Sequence, residues 1–209
     1  MVGLGHRGAE ASLQVGLERG ELLPLSLEAP VVGEVQMDLD QADERHTSTI
    51  ARVTAGPGRT MRPMRILRLA PGDEHVVLAG ADLFDSPPTE AWTARFLSSE
   101  GHHLFVAVAD NHPIGLVSGV ETTHPDKGTE MFLYELGVAE RYRRRGIARA
   151  LVAELARLAE AAGCYGMWVL TDDQNHAALA TYRAAGGTRE PDTVMISWEF
   201  PGNADQTEG

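Results

Sequence analysis

Apolar and polar positions change rhythm along this chain, and the changes mark its elements. "MRILRL" (64–69) reads as a short strand, while "GDEHVVLAGADLF" (72–84) and "PTEAWTARFLSS" (88–99) carry helical spacing. "HLFVAVAD" (103–110) and "IGLVSGVET" (114–122) read as strands around a turn at Asn111-His112-Pro113. "EMFLYELGV" (130–138) is almost continuously apolar, which suits a central strand. On a period of 2, Phe132, Tyr134, Leu136 and Val138 share one face of it, and Leu133 and Glu135 share the other. A helix follows over about 146–162, where Ile147, Ala148, Leu151, Val152, Leu155, Leu158, Ala159 and Ala162 make one apolar face. "YGMWVLT" (165–171) is a further buried strand, and "NHAALATYRAA" (175–185) is a helix stopped by Gly186-Gly187. "TVMISWEF" (193–200) is expected to close the sheet. Strand 130–138, the helix after it and strand 165–171 form a right-handed βαβ unit. The expected fold class is α/β, a central mixed β-sheet flanked by helices.

The first sixty residues behave differently. None of the 12 aromatic residues precedes Phe84, and residues 1–60 sustain neither period. "TAGPGRTMRPMR" (54–65) has linker composition, with Met61 and Met64 where the compact part begins. Residues 1–60 are therefore expected to be a disordered or non-native extension, the latter meaning an over-long translational start. Residues 61–200 are the expected domain and 201–209 a flexible tail. "GLGHRG" (3–8) satisfies G-x-G-x-x-G, but no strand precedes it and no helix follows, so it does not read as a dinucleotide site.

Composition narrows the function. No run of about 18 apolar residues is present and no signal-peptide pattern opens the chain, so no membrane partner is expected. Cys164 is the only cysteine, which excludes an internal disulfide and fits a cytoplasmic location. The histidines lack metal-ligand spacing with carboxylates or the cysteine, so no metal is expected. A formal net charge of -12 argues against nucleic acid and suits a cationic partner, or serves solubility alone.

Against that acidity stands "RYRRRGIA" (141–148), with four arginines between Arg141 and Arg145. It lies where a central strand gives way to a helix, a junction with unsatisfied N–H groups and the positive end of the helix dipole. Such a site favours phosphates, which arginines bind with charge-assisted hydrogen bonds. No G-x-x-x-x-G-K-[ST] is present, so it is not a nucleotide-hydrolysing loop. The residues alone leave a second reading open, a solvated arginine cluster beside a turn glycine. Glu135 is the other unusual residue, the one charge between Met131 and Ala139. A carboxylate there is either functional or held in a structural pair.

Two motifs carry a family resemblance. Arg143-x-x-Gly146-x-Ala148 resembles the R/Q-x-x-G-x-G/A pyrophosphate signature of the GNAT acyltransferases, and Asn175-x-x-Ala178-x-x-x-Tyr182-x-x-x-Gly186 is similar to the later helix of that family. The resemblance covers about 61–200 and identifies that stretch as a GNAT acetyltransferase domain. More narrowly, 64–84, 132–138 and 189–200 look like the type I aminoglycoside 3-N-acetyltransferases, which usually carry Asp where Glu135 stands.

The resemblance implies acetyl-CoA as cofactor and direct attack of an amine on its thioester. It implies that the pyrophosphate rests on Arg143, Arg144, Arg145, Gly146, Ile147 and Ala148, with Asn175 and Ala178 also against the cofactor. The pantetheine arm would pair with Leu136, Gly137 and Val138, between strands 130–138 and 165–171 that splay to admit it, and the Val138 N–H would steady the oxyanion. Glu135 is the implied general base, directly or through water, and Tyr182 the implied general acid toward the leaving sulfur; the bland reading of Tyr182 is a core tyrosine. Asp85, Glu121, Asp126, Asp172 and Asp173 are candidate contacts for a cationic amine, or plain surface charges. The leading expectation is an aminoglycoside 3-N-acetyltransferase of the antibiotic-resistance type. A protein, peptide or polyamine N-acetyltransferase and a non-catalytic coenzyme A sensor are the alternatives. Dimers are common in the family, so a homodimer is the expected self-association.

Overall fold

In the computed structural model the described residues are 64–198. The expectations for residues 1–60, for "GLGHRG" and for the tail 201–209 fall outside them. Among the described residues five strands form: β1 (Arg65–Arg68), β2 (His102–Ala109), β3 (His112–His124), β4 (Gly128–Val138) and β5 (Met167–Trp168). They lie in one sheet in chain order, antiparallel from β1 to β4 and parallel between β4 and β5. This is the mixed sheet expected from the sequence, with the βαβ unit at its end.

Helices cover both faces, which is why β2 is buried at every position but its first. Leu104, Val106 and Leu116 pack with Val76 and Val77 of α1 (Glu74–Ala79) and Leu97 of α2 (Glu90–Ser98). Phe105, Val117, Met131 and Leu133 pack on the opposite face with Ile147, Leu151 and Leu155 of α3 (Ile147–Ala161). The buried stripe of α3 follows the predicted 3.6-residue period. Burying one such leucine contributes about 1.5–3 kcal/mol. α4 (His176–Ala184) starts at an Asn175 cap, whose side chain accepts from the Ala178 N–H at 3.1 Å.

Four expectations change. The helix predicted over 72–84 breaks at Gly80, where a Cβ would meet Pro113 at 2.9 Å; α1 ends there and a 3-10 turn, Ala81–Leu83, follows. The β2–β3 turn falls on Asp110 and Asn111, both with positive φ (53° and 60°), as a two-residue hairpin turn needs. Pro113 is already inside β3, opposite Val108, next to the break in register at Ala107/Val108. β5 is only two residues long, not seven, because the chain leaves β4 after Trp168. The closing strand does not form over 193–198, where Val194, Ile196 and Trp198 are exposed. An alternating pattern still needs an edge to pair with, and two residues of β5 offer little of one.

Candidate active site

Parting of β4 from β5 makes the site. The two strands are paired at Met131–Met167 and Phe132–Trp168, and the described ladder goes no further. Beyond it a cleft of about 2200 Å³ opens, lined by the second half of β4, the 139–146 loop, the start of α3, residues 169–172 and α4. A cleft this size exceeds an ordinary small-ligand pocket of about 300–1,000 Å³ and has room for a long cofactor together with an acceptor. The splay expected between the two parallel strands is thus present.

A β-bulge sets the direction of the side chains that line it. Ser118 of β3 pairs with Glu135 and the adjacent Gly119 pairs with Leu133, which leaves Tyr134 as an extra residue. Met131 and Leu133 face α3 before the bulge, and Leu136 and Val138 pack on that same side after it. Glu135 therefore points away from Leu133, to the opposite face. This corrects the period-2 expectation that Glu135 and Leu133 share a face and that Phe132 shares one with Leu136 and Val138. One inserted residue inverts the alternation.

On its new face Glu135 meets the turn after α1. The Asp85 N–H lies 3.4 Å from Glu135 Oε1. Gly137, two residues along, lies against the same turn: a Cβ there would be 2.5 Å from the Leu83 carbonyl oxygen. Burial pushes the Glu135 carboxyl above the usual carboxylate range, the Asp85 N–H pulls it down, and the Asp85 carboxylate pushes it up again. Burial also raises Tyr182, so its phenol stays protonated near neutral pH. Tyr182 is half-buried, packing on the α3-side core while also lining the cleft.

The other end of the cleft gathers the arginines and the start of α3. Gly146, the N-cap of α3, has φ 79°, and Arg144 has φ 60°. This left-handed backbone favours glycine and turns the loop under the helix mouth. Among the described residues no side chain caps α3, its first turn holds no acidic residue, and its first bond to the loop runs from the Ala150 N–H to the Gly146 carbonyl at 3.0 Å. The N–H groups of the first turn point into the cleft mouth without intrahelical partners. Arg143 Nε donates to the Val138 carbonyl at 3.0 Å, and Arg145 donates to the Arg141 carbonyl at 2.7 Å. The arginines brace their own loop and keep further guanidinium donors for a ligand. Arg141 and Arg145 both lie over the Tyr142 ring, at 5.1 and 5.2 Å.

Most predicted site residues line this one cleft: Leu136, Gly137, Val138, residues 143–148, Asn175, Ala178, Glu135, Tyr182, Asp85 and Asp172. Three acidic candidates do not. Glu121 binds His103 at 2.8 Å, well along β3 from the cleft. Asp126 sits in the β3–β4 turn, about 20 Å of strand before Tyr134. Asp173 pairs with Arg189 at 2.7 Å outside the cleft. Sequence order alone could not separate these from Asp85 and Asp172. Asp82, Tyr134, Arg149, Glu154 and Arg157 also line the cleft and were missed. Arg149 was legible, standing one turn into the helix after Gly146. Asp82 was not, because residues 81–86 reach the site only by tertiary packing.

The comparisons with known proteins agree with this geometry. Residues 72–186 match the model of the "Acetyltransferase (GNAT) family". Human N-acetyltransferase 8 is 26% identical over 107 residues, 51% of this chain and 47% of that relative, so the chain spans about half the length of the curated relatives it matches. Among solved structures, the aminoglycoside acetyltransferase meta-AAC0020 from an uncultured soil metagenomic sample, in complex with sisomicin, has a TM-score of 0.61 at 21% identity, covering 66% of this chain and 96% of that one. AAC(6')-Iy, in complex with the bisubstrate analogue CoA-S-monomethyl-acetylneamine, has a TM-score of 0.56 at 23% identity, covering 66% and 98%. At these identities the two structures attest the fold. With a family model that matches more than half of the chain, this protein belongs to the acetyltransferase (GNAT) family.

Proposed function

We propose that this protein transfers the acetyl group of acetyl-CoA to a primary amine of a cationic small molecule, with the 3-amine of an aminoglycoside as leading acceptor. The carrying observation is the polarity of the cleft. Arg143, Arg144, Arg145 and the uncapped end of α3 lie at one end, and Asp82, Asp85 and Glu135 at the other, with the free edge of β4 between them.

Acetyl-CoA supplies an activated acyl group and a diphosphate handle. Arg143–Ala148 bind that diphosphate at the helix mouth. Leu136–Val138 offer peptide groups to the pantetheine arm, and the Val138 N–H is a donor for the developing oxyanion. Glu135 takes a proton from the substrate ammonium, directly or through water, so that the neutral amine can attack; its raised pKa brings this carboxylate nearer neutral pH. Tyr182 holds the proton that the departing sulfur needs. Asp82, Asp85 and Asp172 provide negative charge for the remaining amines of a polycation.

An open cleft of about 2200 Å³ also admits a basic peptide, and this supports a peptide N-acetyltransferase as second reading. Release of free thiol from acetyl-CoA, measured with gentamicin, polyamines and basic peptides, separates the two. Turnover of peptides without turnover of gentamicin overturns the aminoglycoside reading. Mass spectrometry of the acetylated product locates the amine.

A further inference from the structure

Ser118 stands beside Glu135 on β3 and is only 4% exposed. Among the described residues its Oγ is the buried side-chain oxygen or nitrogen without a hydrogen-bond partner. A hydroxyl removed from water and left unbonded is unfavourable, so its surroundings matter. Its cross-strand partners are Leu104 on β2 and Glu135 on β4. Leu104 packs on the α1–α2 face of the sheet, and directly paired residues share a face. The bulge at Tyr134 puts Glu135 on that face too. Without it, Ser118 would have paired with Tyr134, and Glu135 would have turned toward α3.

We infer that Ser118 is a positioning residue for Glu135: its hydroxyl donates to the carboxylate, after rotation about its Cα–Cβ bond or through one shared water. This bond favours the ionised carboxylate and fixes its direction into the cleft. It supplements the long Asp85 contact of 3.4 Å, the one hydrogen bond that Glu135 makes among the described residues. The other charged group whose field reaches Glu135 is the Asp85 carboxylate, on the turn after α1. Asp82 on that turn, Tyr134 on β4 itself, Asp172 and Tyr182 are further titratable groups that line the same cleft. From β2 the neighbour is apolar Leu104. The inference deepens the proposed role of Glu135 and rests on it for its catalytic meaning.

The test uses the full chain and two readouts. A carbon-13 NMR titration follows the Glu135 carboxyl, assigned through Glu135→Gln, and needs no acceptor. Ser118→Ala is expected to raise the midpoint by about one pH unit, because a hydrogen bond to a charged group is lost. Ser118→Thr, which keeps the hydroxyl, is expected to restore it, and Ser118→Cys, a weak donor, to shift it in the same direction as alanine. The acid limb of gentamicin acetylation should move with the midpoint, while the KM for acetyl-CoA stays within about twofold. An unchanged Glu135 midpoint in both the alanine and cysteine variants overturns the inference. If Glu135→Gln itself leaves the pH profile unchanged, the base reading falls instead, and the NMR result still decides whether Ser118 serves Glu135.

Discussion

Gly137→Ala tests whether the turn after α1 is locked onto β4. The added methyl would sit 2.5 Å from the Leu83 carbonyl oxygen. Carbon–oxygen contacts settle at about 3.3 Å or more, so that carbonyl must retreat by about 0.8 Å. No flexible side chain can absorb this. The turn is stiffened by Leu83 N–H to Gly80 at 2.9 Å and Phe84 N–H to Ala81 at 3.1 Å, so it moves as a unit. The Asp85 N–H is already 3.4 Å from Glu135, and such a retreat breaks that contact. Overpacking of this kind costs about 1–3 kcal/mol, a fall of several degrees in Tm. Losing a donor to the carboxylate moves Glu135 still higher. The acid limb of activity should therefore shift to higher pH, and kcat at neutral pH should fall about 10- to 100-fold, as for a misplacement of about 1 Å. Thermal melts and pH–rate profiles of thiol release check this, with Gly166→Ala as control because a Cβ there meets nothing within 4 Å. A Gly137→Ala protein with wild-type Tm and pH profile refutes the reasoning.

Three further outcomes follow from the cleft. Glu135→Gln should lower kcat by about 10²–10⁴ and flatten the acid limb, read from the same profiles. Because the folded-state pKa of Glu135 is raised, the native state loses stability as pH climbs from the ordinary carboxylate range through that raised value. The glutamine variant should accordingly melt higher than wild type near pH 8 but not near pH 3, by calorimetry. Tyr182→Phe should lower kcat by about 10² with little change in the KM for acetyl-CoA, since it removes a proton donor but no anion contact. Gly146→Val should raise the KM for acetyl-CoA about tenfold, by titration or kinetics, because a β-branched residue at φ 79° deforms the helix mouth.

The sequence by itself determined the helix mouth and its neighbours. The pattern Arg143-x-x-Gly146-x-Ala148 is local: the glycine, the arginines and the apolar period of α3 are adjacent in the chain. Asn175 and Tyr182, seven residues apart in one helical segment, were legible for the same reason, though the capping role of Asn175 was not. Tertiary structure decided the other half of the site. The bulge at Tyr134 is an extra residue that a period of 2 cannot reveal, and it chose the face of Glu135 and so its neighbours Ser118 and Asp85. Tertiary packing also separated Asp85 and Asp172 from Glu121, Asp126 and Asp173, which look alike along the chain but lie at different places on the fold. The same limit explains 193–198, where the apolar alternation of a strand is present and no edge pairs with it. Short-range geometry follows from neighbouring residues, whereas the facing of a strand and the pairing of an edge depend on contacts far apart in sequence.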